Sequence, residues 1–305
     1  MRILTTTSRV LACVTVAPVL MLIGSSAHSL APQAHLVALR HAHLPMHLHL
    51  RRDQTVAESY NWSGYAVTGA TGSVSDVKAS WIVPTATCSA TPDGYAAFWV
   101  GIDGWTSSTV EQTGTDSDCV NLTGTQAGTP TYYAWFEFYP AGAFLVGTYN
   151  SSGVCESDCV APGDVMSAEV KFNGSGSRGR RGGRSFTATI TDETRGWTFS
   201  TTSTVSGAQE SSAEWIAEAP AGCNTASTIC PLSDFNSVDF GSSFTGIANT
   251  SFATVSGTTQ ALGSFGSSIQ EAVMVSDPAG VVKAQPSAIE GSGTSFSVTW
   301  ASEGP

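Results

Sequence analysis

Histidine is absent from the chain after His49, although the sequence runs to 305 residues. That absence excludes Ser-His-Asp and Cys-His catalytic groups, histidine zinc sites and histidine general bases from the body of the protein. The chemistry open to this region therefore rests on carboxylates, amides and hydroxyls. This absence narrows the possible functions more than any single motif does.

Charged residues are scarce, at 12% of the chain, and 24 acidic residues outnumber 13 lysines and arginines. Phosphate binding needs a basic surface, so we do not expect a nucleic acid partner. Every acidic residue lies at Asp53 or later, which makes the body more acidic than the whole chain. Its self-repulsion relaxes as carboxylates become protonated, and this favours acidic surroundings.

Long hydrophobic runs are absent beyond the N-terminus. Residues 1–27 contain two arginines, an apolar run at 10–23 and small residues before Ala27, which predicts a secretory signal peptide. A membrane anchor is the alternative, but the run is short and contains Pro18. We expect a secreted, extracellular protein with no membrane association once the signal is removed.

All six histidines lie between the signal and the body, and we interpret residues 28–58 as a propeptide. It contains Arg51-Arg52, a plausible processing point. Imidazole changes charge between about pH 5 and 8, so acidification could release a propeptide that holds the body inactive. Metal binding by the His-x-His pairs and a merely solvated leader are the alternatives. The histidines are His28, His35, His41, His43, His47 and His49.

The remainder, residues 59–305, is predicted to be one all-β domain, a β-sandwich of two antiparallel sheets of the jelly-roll or concanavalin-like kind. Short alternating segments are separated by Gly, Ser, Thr, Asn and Pro, without long helices or repeats. The run Arg178–Arg184 is interpreted as a flexible loop, with a nick site as the alternative. The predicted strands include 63–67, 77–83, 96–102, 132–139, 165–172, 186–191, 198–205, 213–217, 238–240, 269–274 and 295–300.

Six cysteines remain after signal removal, and an even number in a secreted chain predicts disulfides. Short separations favour the pairs Cys155–Cys159 and Cys223–Cys230, which leaves Cys88 with Cys119. The sequence alone does not settle the pairing. No metal site is predicted in the body, and no cofactor is predicted.

In each of three predicted strands, candidate functional residues stand at every second position. Because side chains alternate along a strand, each set lies on one face. A single such strand is more often a surface stripe, but three in one weakly charged protein favour a carboxylate-lined groove. A neighbouring segment would add Trp99, Gly101 and Asp103, and glycines there would let a ligand backbone approach closely. The three faces are Gln112, Gly114 and Asp116; Tyr133, Trp135, Glu137 and Tyr139; and Glu214, Ile216 and Glu218.

Five motifs in order resemble those of the glutamic peptidases, the eqolisins, over about residues 59 to 300. One motif would be weak, but five in the same order are specific. They are Asn61-Trp62-Ser63-Gly64-Tyr65, Trp99-Val100-Gly101-Ile102-Asp103-Gly104, Gln112-Thr113-Gly114-Thr115-Asp116, Trp135-Phe136-Glu137-Phe138-Tyr139-Pro140 and Glu214-Trp215-Ile216-Ala217-Glu218.

The resemblance implies an endopeptidase active in acid that uses a Gln–Glu dyad. By motif, the catalytic residues are Gln112 and Glu218, although pattern alone does not separate Glu218 from Glu214. Cys223 and Cys230 match a family disulfide, and Tyr133 stands where the family commonly has Asp. The implied substrate-binding positions are Trp62, Gly64, Trp99, Asp103, Gly114, Asp116, Trp135, Glu137 and Tyr139.

The predicted function is thus a secreted, monomeric acid endopeptidase whose partners are protein or peptide substrates and its own propeptide. Pepstatin should not inhibit it, because no Asp-Thr-Gly or Asp-Ser-Gly triplet occurs. A glycoside hydrolase that pairs Glu137 with Glu214 or Glu218 is one alternative. A lectin-like carbohydrate-binding module is the other.

Overall fold

The computed structural model describes residues 37–49, 56–175, 183–223 and 228–304. All of these belong to one unit of the chain, residues 36–305. The predicted signal peptide, the Arg51-Arg52 pair and most of the Arg178–Arg184 run lie outside the described residues.

Strands make up almost all of the regular structure in the described ranges, as the alternating pattern predicts. The helical elements there are one short α-helix, α1 (Ser242–Thr245), and two 3₁₀ turns at Leu262–Ser264 and Gly266–Ser268. The strands are β1 (Leu48–His49), β2 (Val56–Ser59), β3 (Trp62–Thr68), β4 (Val74–Ile82), β5 (Ala97–Ile102), β6 (Val110–Val120), β7 (Ala127–Tyr139), β8 (Phe144–Leu145), β9 (Thr148–Tyr149), β10 (Cys155–Ser157), β11 (Val165–Ser175), β12 (Arg184–Asp192), β13 (Trp197–Val205), β14 (Ser212–Glu218), β15 (Ser237–Gly241), β16 (Phe252–Val255), β17 (Thr258–Ala261), β18 (Ile269–Val275), β19 (Val282–Pro286) and β20 (Ser295–Trp300).

The strands form two layers. The front layer has the order β8-β7-β6-β5-β14-β3-β18, and its ladders are antiparallel. The back layer pairs β13-β12-β11-β4, and β4 continues to β15 and β16 on its other side. Pairings of β18 with β19 and of β19 with β20 join the layers at one edge. The predicted all-β sandwich is confirmed.

Among the strand ladders of the described residues, the pairing of β2 with β18 departs from the antiparallel rule, because these two strands run parallel. Residues 56–58, the last three of the predicted propeptide, thus belong to the same strand as Ser59. The predicted boundary between propeptide and body falls inside this strand.

The main core lies between the layers. Alternation turns Phe98 and Val100 of β5 inward, where they meet inward side chains of β4, β11 and β12. Two indoles also bridge the layers by hydrogen bonds. Trp81 Nε1 donates to Thr115 Oγ1 at 2.9 Å, and Trp215 Nε1 donates to the carbonyl of Lys78 at 2.8 Å. The opposite face of the front layer is therefore left free to form a groove.

The three expected disulfides, Cys88–Cys119, Cys155–Cys159 and Cys223–Cys230, are all confirmed. Cys88–Cys119 ties the segment after β4 to the end of β6. A search for a membrane-crossing helix in the described residues found none that was both long and apolar enough.

Candidate active site

The register of the front layer puts the two predicted catalytic side chains on one face. Gln112 of β6 lies opposite Gly101 of β5 and Glu137 of β7. Glu218 ends β14 and lies opposite Ala97 of β5 and Trp62 of β3. Strand β5 therefore separates the two, and the period of two directs both side chains into the groove.

Residues 37–49, called here the leader segment, cross this groove. Backbone hydrogen bonds attach the segment along its length: Leu39 N–H donates to the carbonyl of Ala143 at 2.9 Å. Ala42 exchanges a pair of hydrogen bonds with Ala221, at 2.8 and 2.9 Å. The segment thus lies against the mouth of the groove, held by isolated bridges and single backbone hydrogen bonds.

A single peptide bond of the leader segment contacts both predicted catalytic residues. The Nε2 of Gln112 donates to the carbonyl oxygen of His43 at 2.8 Å. The backbone N–H of the next residue, Leu44, donates to Oε1 of Glu218 at 3.1 Å. The two side chains therefore meet across the His43–Leu44 bond.

Glu137 fixes the orientation of the Gln112 amide. Its Oε2 accepts both Gln112 Nε2, at 3.0 Å, and the backbone N–H of His43, at 3.1 Å. Because a carboxylate and a carbonyl both face that end of the side chain, the NH₂ group must be the end that points there.

Two indoles and an amide hold the other end of the groove. Trp99 Nε1 donates to Oε2 of Glu218 at 2.8 Å, and Trp62 Nε1 donates to the carbonyl of Leu44 at 3.0 Å. Asn61 Nδ2 donates to that same carbonyl at 3.2 Å. Asn61 is absent from the predicted site residues, although it opens the first of the five motifs. The signal available in the sequence was the position of Asn61 directly before Trp62, a predicted groove residue.

His43 stacks on Trp135, with ring centroids 3.6 Å apart and an angle of 6° between the planes. Burial, followed by the charge of His41, lowers the pKa of His43 well below its ordinary value. Nδ1 of His43 lies 3.6 Å from Oε2 of Glu218, yet the burial outweighs this attraction. Burial therefore favours the neutral form of His43 in the groove.

His41 has the opposite environment. Its Nε2 lies 2.8 Å from Oδ2 of Asp116, which also accepts the Tyr133 hydroxyl at 2.9 Å. Burial alone would lower the pKa of His41, but the hydrogen bond and charge of Asp116 and the charge of Asp118 raise it. Tyr133, which alternation placed on the groove face, holds Asp116 in place together with Trp135, whose Nε1 donates to Oδ1 of Asp116 at 2.6 Å. Asp118, which was not predicted, accepts the same Tyr133 hydroxyl.

The ligating atoms of His41, His43 and Asp116 lie within 4.8 Å of one another. These three groups could hold a metal ion together, which is the alternative that the His-x-His pairs left open. The hydrogen bond between His41 and Asp116 gives two of these three groups a partner without any metal ion.

Burial also acts on the carboxylates of the groove. With the leader segment in place, burial raises the pKa of Glu218 well above its ordinary value, and the charge of Glu137 adds to this. The pKa of Glu137 is raised mainly by burial as well. Both side chains are fully buried under the leader segment.

The structure places Asp103, a predicted substrate-binding residue, against the turn before β14, and none of its hydrogen bonds among the described residues reaches the leader segment. Its carboxylate accepts the backbone N–H groups of Gln209, at 2.6 Å, Glu210, at 2.9 Å, and Ser211, at 2.9 Å. The alternation that placed Asp103 in the groove stops at Ile102, where β5 ends, and Asp103 has a left-handed φ of 71°. Asp103 thus anchors the turn before β14.

The two predicted groove glycines are explained by strand packing. A Cβ on Gly114 would collide with the carbonyl of Phe98, and one on Gly64 with the carbonyl of Trp215. The close neighbour is the adjacent strand in both cases and not a ligand backbone. Tyr139 is half-buried at the edge of the groove cluster.

Comparison with known proteins shows to which class of protein this groove belongs. The family model for the peptidase A4 family matches residues 60–276, which is more than two thirds of the chain. The chain belongs to the peptidase A4 family. It is a glutamic-type peptidase, and the glycosidase and lectin alternatives lose their support.

Solved structures agree with the fold of this A4 peptidase. Scytalidoglutamic peptidase with a peptide-based transition-state analogue has a TM-score of 0.57 at 23% identity, covering 79% of this chain and 98% of that chain. SCP-B, an eqolisin in complex with the tripeptide Ala-Ile-His, has a TM-score of 0.55 at 23% identity, with the same coverage. No curated protein sequence matches the chain significantly.

The contacts of Asp103 predict that Asp103→Asn destabilises the peptidase without affecting substrate binding. The new amide turns a donor towards backbone N–H groups, and an unsatisfied buried group costs about 1–3 kcal/mol. Urea unfolding should show this loss, with KM for a peptide substrate unchanged. The exposed Asp93→Asn is the control. Unaltered stability with a raised KM would return Asp103 to the substrate-binding residues.

Proposed function

We propose that the chain is a secreted endopeptidase active in acid, in which Gln112 and Glu218 form the catalytic dyad. The observation that carries the proposal is the peptide bond held between them: its carbonyl accepts from Gln112 and its N–H donates to Glu218. A peptidase needs these two kinds of contact on one bond, because the carbonyl oxygen gains negative charge and the nitrogen must leave with a proton.

In the proposed mechanism an ionised Glu218 takes a proton from a water, which attacks the carbonyl carbon. The NH₂ of Gln112 donates to the developing oxyanion, and Glu218 then returns the proton to the leaving nitrogen. The raised pKa of Glu218 belongs to the groove that the leader segment covers. Once water reaches the carboxyl group, it titrates nearer the ordinary value of about 4.3, so an ionised fraction is present at about pH 3–4. Trp99 fixes the carboxylate in position through its hydrogen bond to Oε2.

Acid activity agrees with the chemistry of the dyad. An amide does not titrate, so Gln112 remains a donor at low pH. The absence of the Asp-Thr-Gly and Asp-Ser-Gly triplets supports insensitivity to pepstatin. The three disulfides support secretion, since such bonds persist in oxidising surroundings.

A second group of buried carboxyl groups also makes the folded state more stable at acid pH. Burial raises the pKa of Glu111 and Glu214 well above ordinary values, and the charge of Asp103 adds to both. The folded state therefore keeps protons that the unfolded chain releases above about pH 4.3. Folding is favoured most below that pH and loses stability as the pH rises towards the folded pKa values.

The leader segment is proposed to act as the restraining propeptide. It buries Gln112 and Glu218 completely, so a protein substrate cannot reach them while it is bound. Its two groove histidines respond to acid in opposite ways. His41 binds its proton more tightly in the groove, through Asp116 and Asp118, whereas His43 must remain neutral there. Acid weakens binding through His43, which gains a proton when it leaves Trp135. His41, Glu137 and Glu218 have raised pKa values in the covered groove and therefore oppose release.

Gln112→Ala and Glu218→Ala should each abolish digestion of an acid-denatured protein at about pH 3–4. Loss of an oxyanion donor alone typically costs a factor of about 10²–10³. Circular dichroism and melting temperature should show an intact fold, and pepstatin should leave the wild type active. Near-wild-type activity in Glu218→Ala, together with loss in Glu214→Gln, would move the base to Glu214.

The buried carboxylates predict that the melting temperature falls between about pH 4 and about pH 7. Glu214→Gln should flatten this dependence, because an amide has no proton to lose. Calorimetry is best done on proteins that also carry Gln112→Ala, so that digestion does not interfere. The exposed Glu156→Gln should keep the wild-type slope. Equal slopes in all three proteins would contradict the role of Glu214.

The proposed release of the leader segment through His43 predicts that His43→Phe is activated at a lower pH than the wild type. Phenylalanine can stack on Trp135 but cannot gain a proton on release, so the segment should stay bound to lower pH than in the wild type. Activity on a reporter peptide after incubation at stepped pH measures the shift. His47→Phe alters a histidine that is exposed in the structure and is the matched control. An unchanged midpoint in His43→Phe would rule out His43 as the acid-sensitive group.

A further inference from the structure

The leader segment lies in the groove as a substrate would, and not merely as a cover. It is attached by backbone hydrogen bonds on both sides of the catalytic pair. Ala42 pairs with Ala221 before the pair, and the N–H of Met46 donates to the carbonyl of Gly104, at 3.1 Å, after it. Attachment on both sides fixes which bond of the segment faces Gln112 and Glu218.

The neighbouring peptide bonds have other partners. The carbonyl of Ala42 accepts from the backbone of Ala221, and the carbonyl of Leu44 accepts from Trp62 and Asn61. Proline at position 45 has no N–H that could donate to a carboxylate. Among these three consecutive bonds, the one between His43 and Leu44 alone has its carbonyl on Gln112 and its N–H on Glu218.

We propose that the His43–Leu44 bond is a self-processing site, which the peptidase hydrolyses within its own chain. The inference rests on the proposed function, since it uses the same dyad. One water is consumed: its oxygen bonds to the carbonyl carbon of His43 and the bond to Leu44 nitrogen breaks. His43 gains a carboxyl group, and Leu44 becomes a new amino terminus with the proton delivered by Glu218.

The side chains on the acyl side explain why this bond is chosen. Trp135 stacks on the His43 ring, and Asp116 binds His41 two residues earlier. Together they set the register at two points before the bond. The Arg51-Arg52 pair, the processing point suggested by sequence alone, would then be reached later or by another peptidase.

The test follows the full chain after shifts from pH 7 to a series of values down to about pH 4, because the reaction needs Glu218 ionised while the leader segment still covers it. Products are identified by intact mass and N-terminal sequencing. The expected product begins Leu-Pro-Met-His, and its rate of formation should not depend on protein concentration, because the contacts form within one chain. An active product that begins elsewhere, with His43–Leu44 intact, would overturn the inference. Cleavage at this bond in Gln112→Ala incubated alone would overturn it too.

A matched pair of variants tests the N–H contact. Leu44→Ala and Leu44→Pro both remove the leucine side chain, but only proline removes the N–H that donates to Glu218. Leu44→Ala should be processed at position 43–44 and Leu44→Pro should not. Equal processing of the two variants would contradict the proposal. Melting temperatures show whether each variant folds.

A synthetic peptide of residues 37–47 provides a test that does not depend on folding of a variant. The acid-activated wild type should split it between His43 and Leu44, and a peptide with His41→Ala should be split more slowly because the Asp116 contact is lost. A denatured protein is digested in parallel. Digestion of that protein with the peptide left intact would sink this inference alone, whereas failure on both substrates would sink the proposed function.

Discussion

The alternation of side chains across four hydrogen-bonded strands is the constraint on which the rest of the structure depends. Strands β14, β5, β6 and β7 are neighbours in fixed register, so one face of each meets the apolar core and the other meets the groove. The core side holds the register through large buried residues such as Phe98 and Trp215. A shift by one residue would exchange the two faces and bury the groove carboxylates in the core.

The same constraint explains how polar groups survive deep burial. Gln112 Nε2 and Oε2 of Glu137 bond to each other and to the leader backbone, and the Trp99 and Trp62 indoles supply further donors. Gln112 Oε1 and Glu137 Oε1 have no hydrogen-bond partner among the described residues. Buried carboxyls keep their protons more readily than exposed ones, which supports the proposed activity in acid. The acidic body and the non-titrating amide agree with this, and together they connect the fold to the class of peptidase.

Much of the fold and part of the site could be predicted from the sequence. Alternation gave the faces of β6, β7 and β14 because these strands are long and regular. It failed at Asp103, where the strand has ended and a left-handed residue turns the chain. Pattern alone could not choose Glu218 over Glu214, since both lie on the same face of β14. They differ in their neighbours: Glu218 contacts Trp99 and the leader segment, whereas Glu214 lies near Asp103 and Glu111. The course of the leader segment was beyond prediction, because most of its contacts are made by backbone atoms, which leave no periodic trace in the sequence.

The confinement of all six histidines to the first 49 residues has one more consequence. A chain that begins at Leu44 has lost His41 and His43, and one that begins after the diarginine has lost every imidazole. The groups that respond to mild acid would then leave with the discarded piece. Returning such a protein to neutral pH could not restore inhibition by the removed segment, so activation would be irreversible.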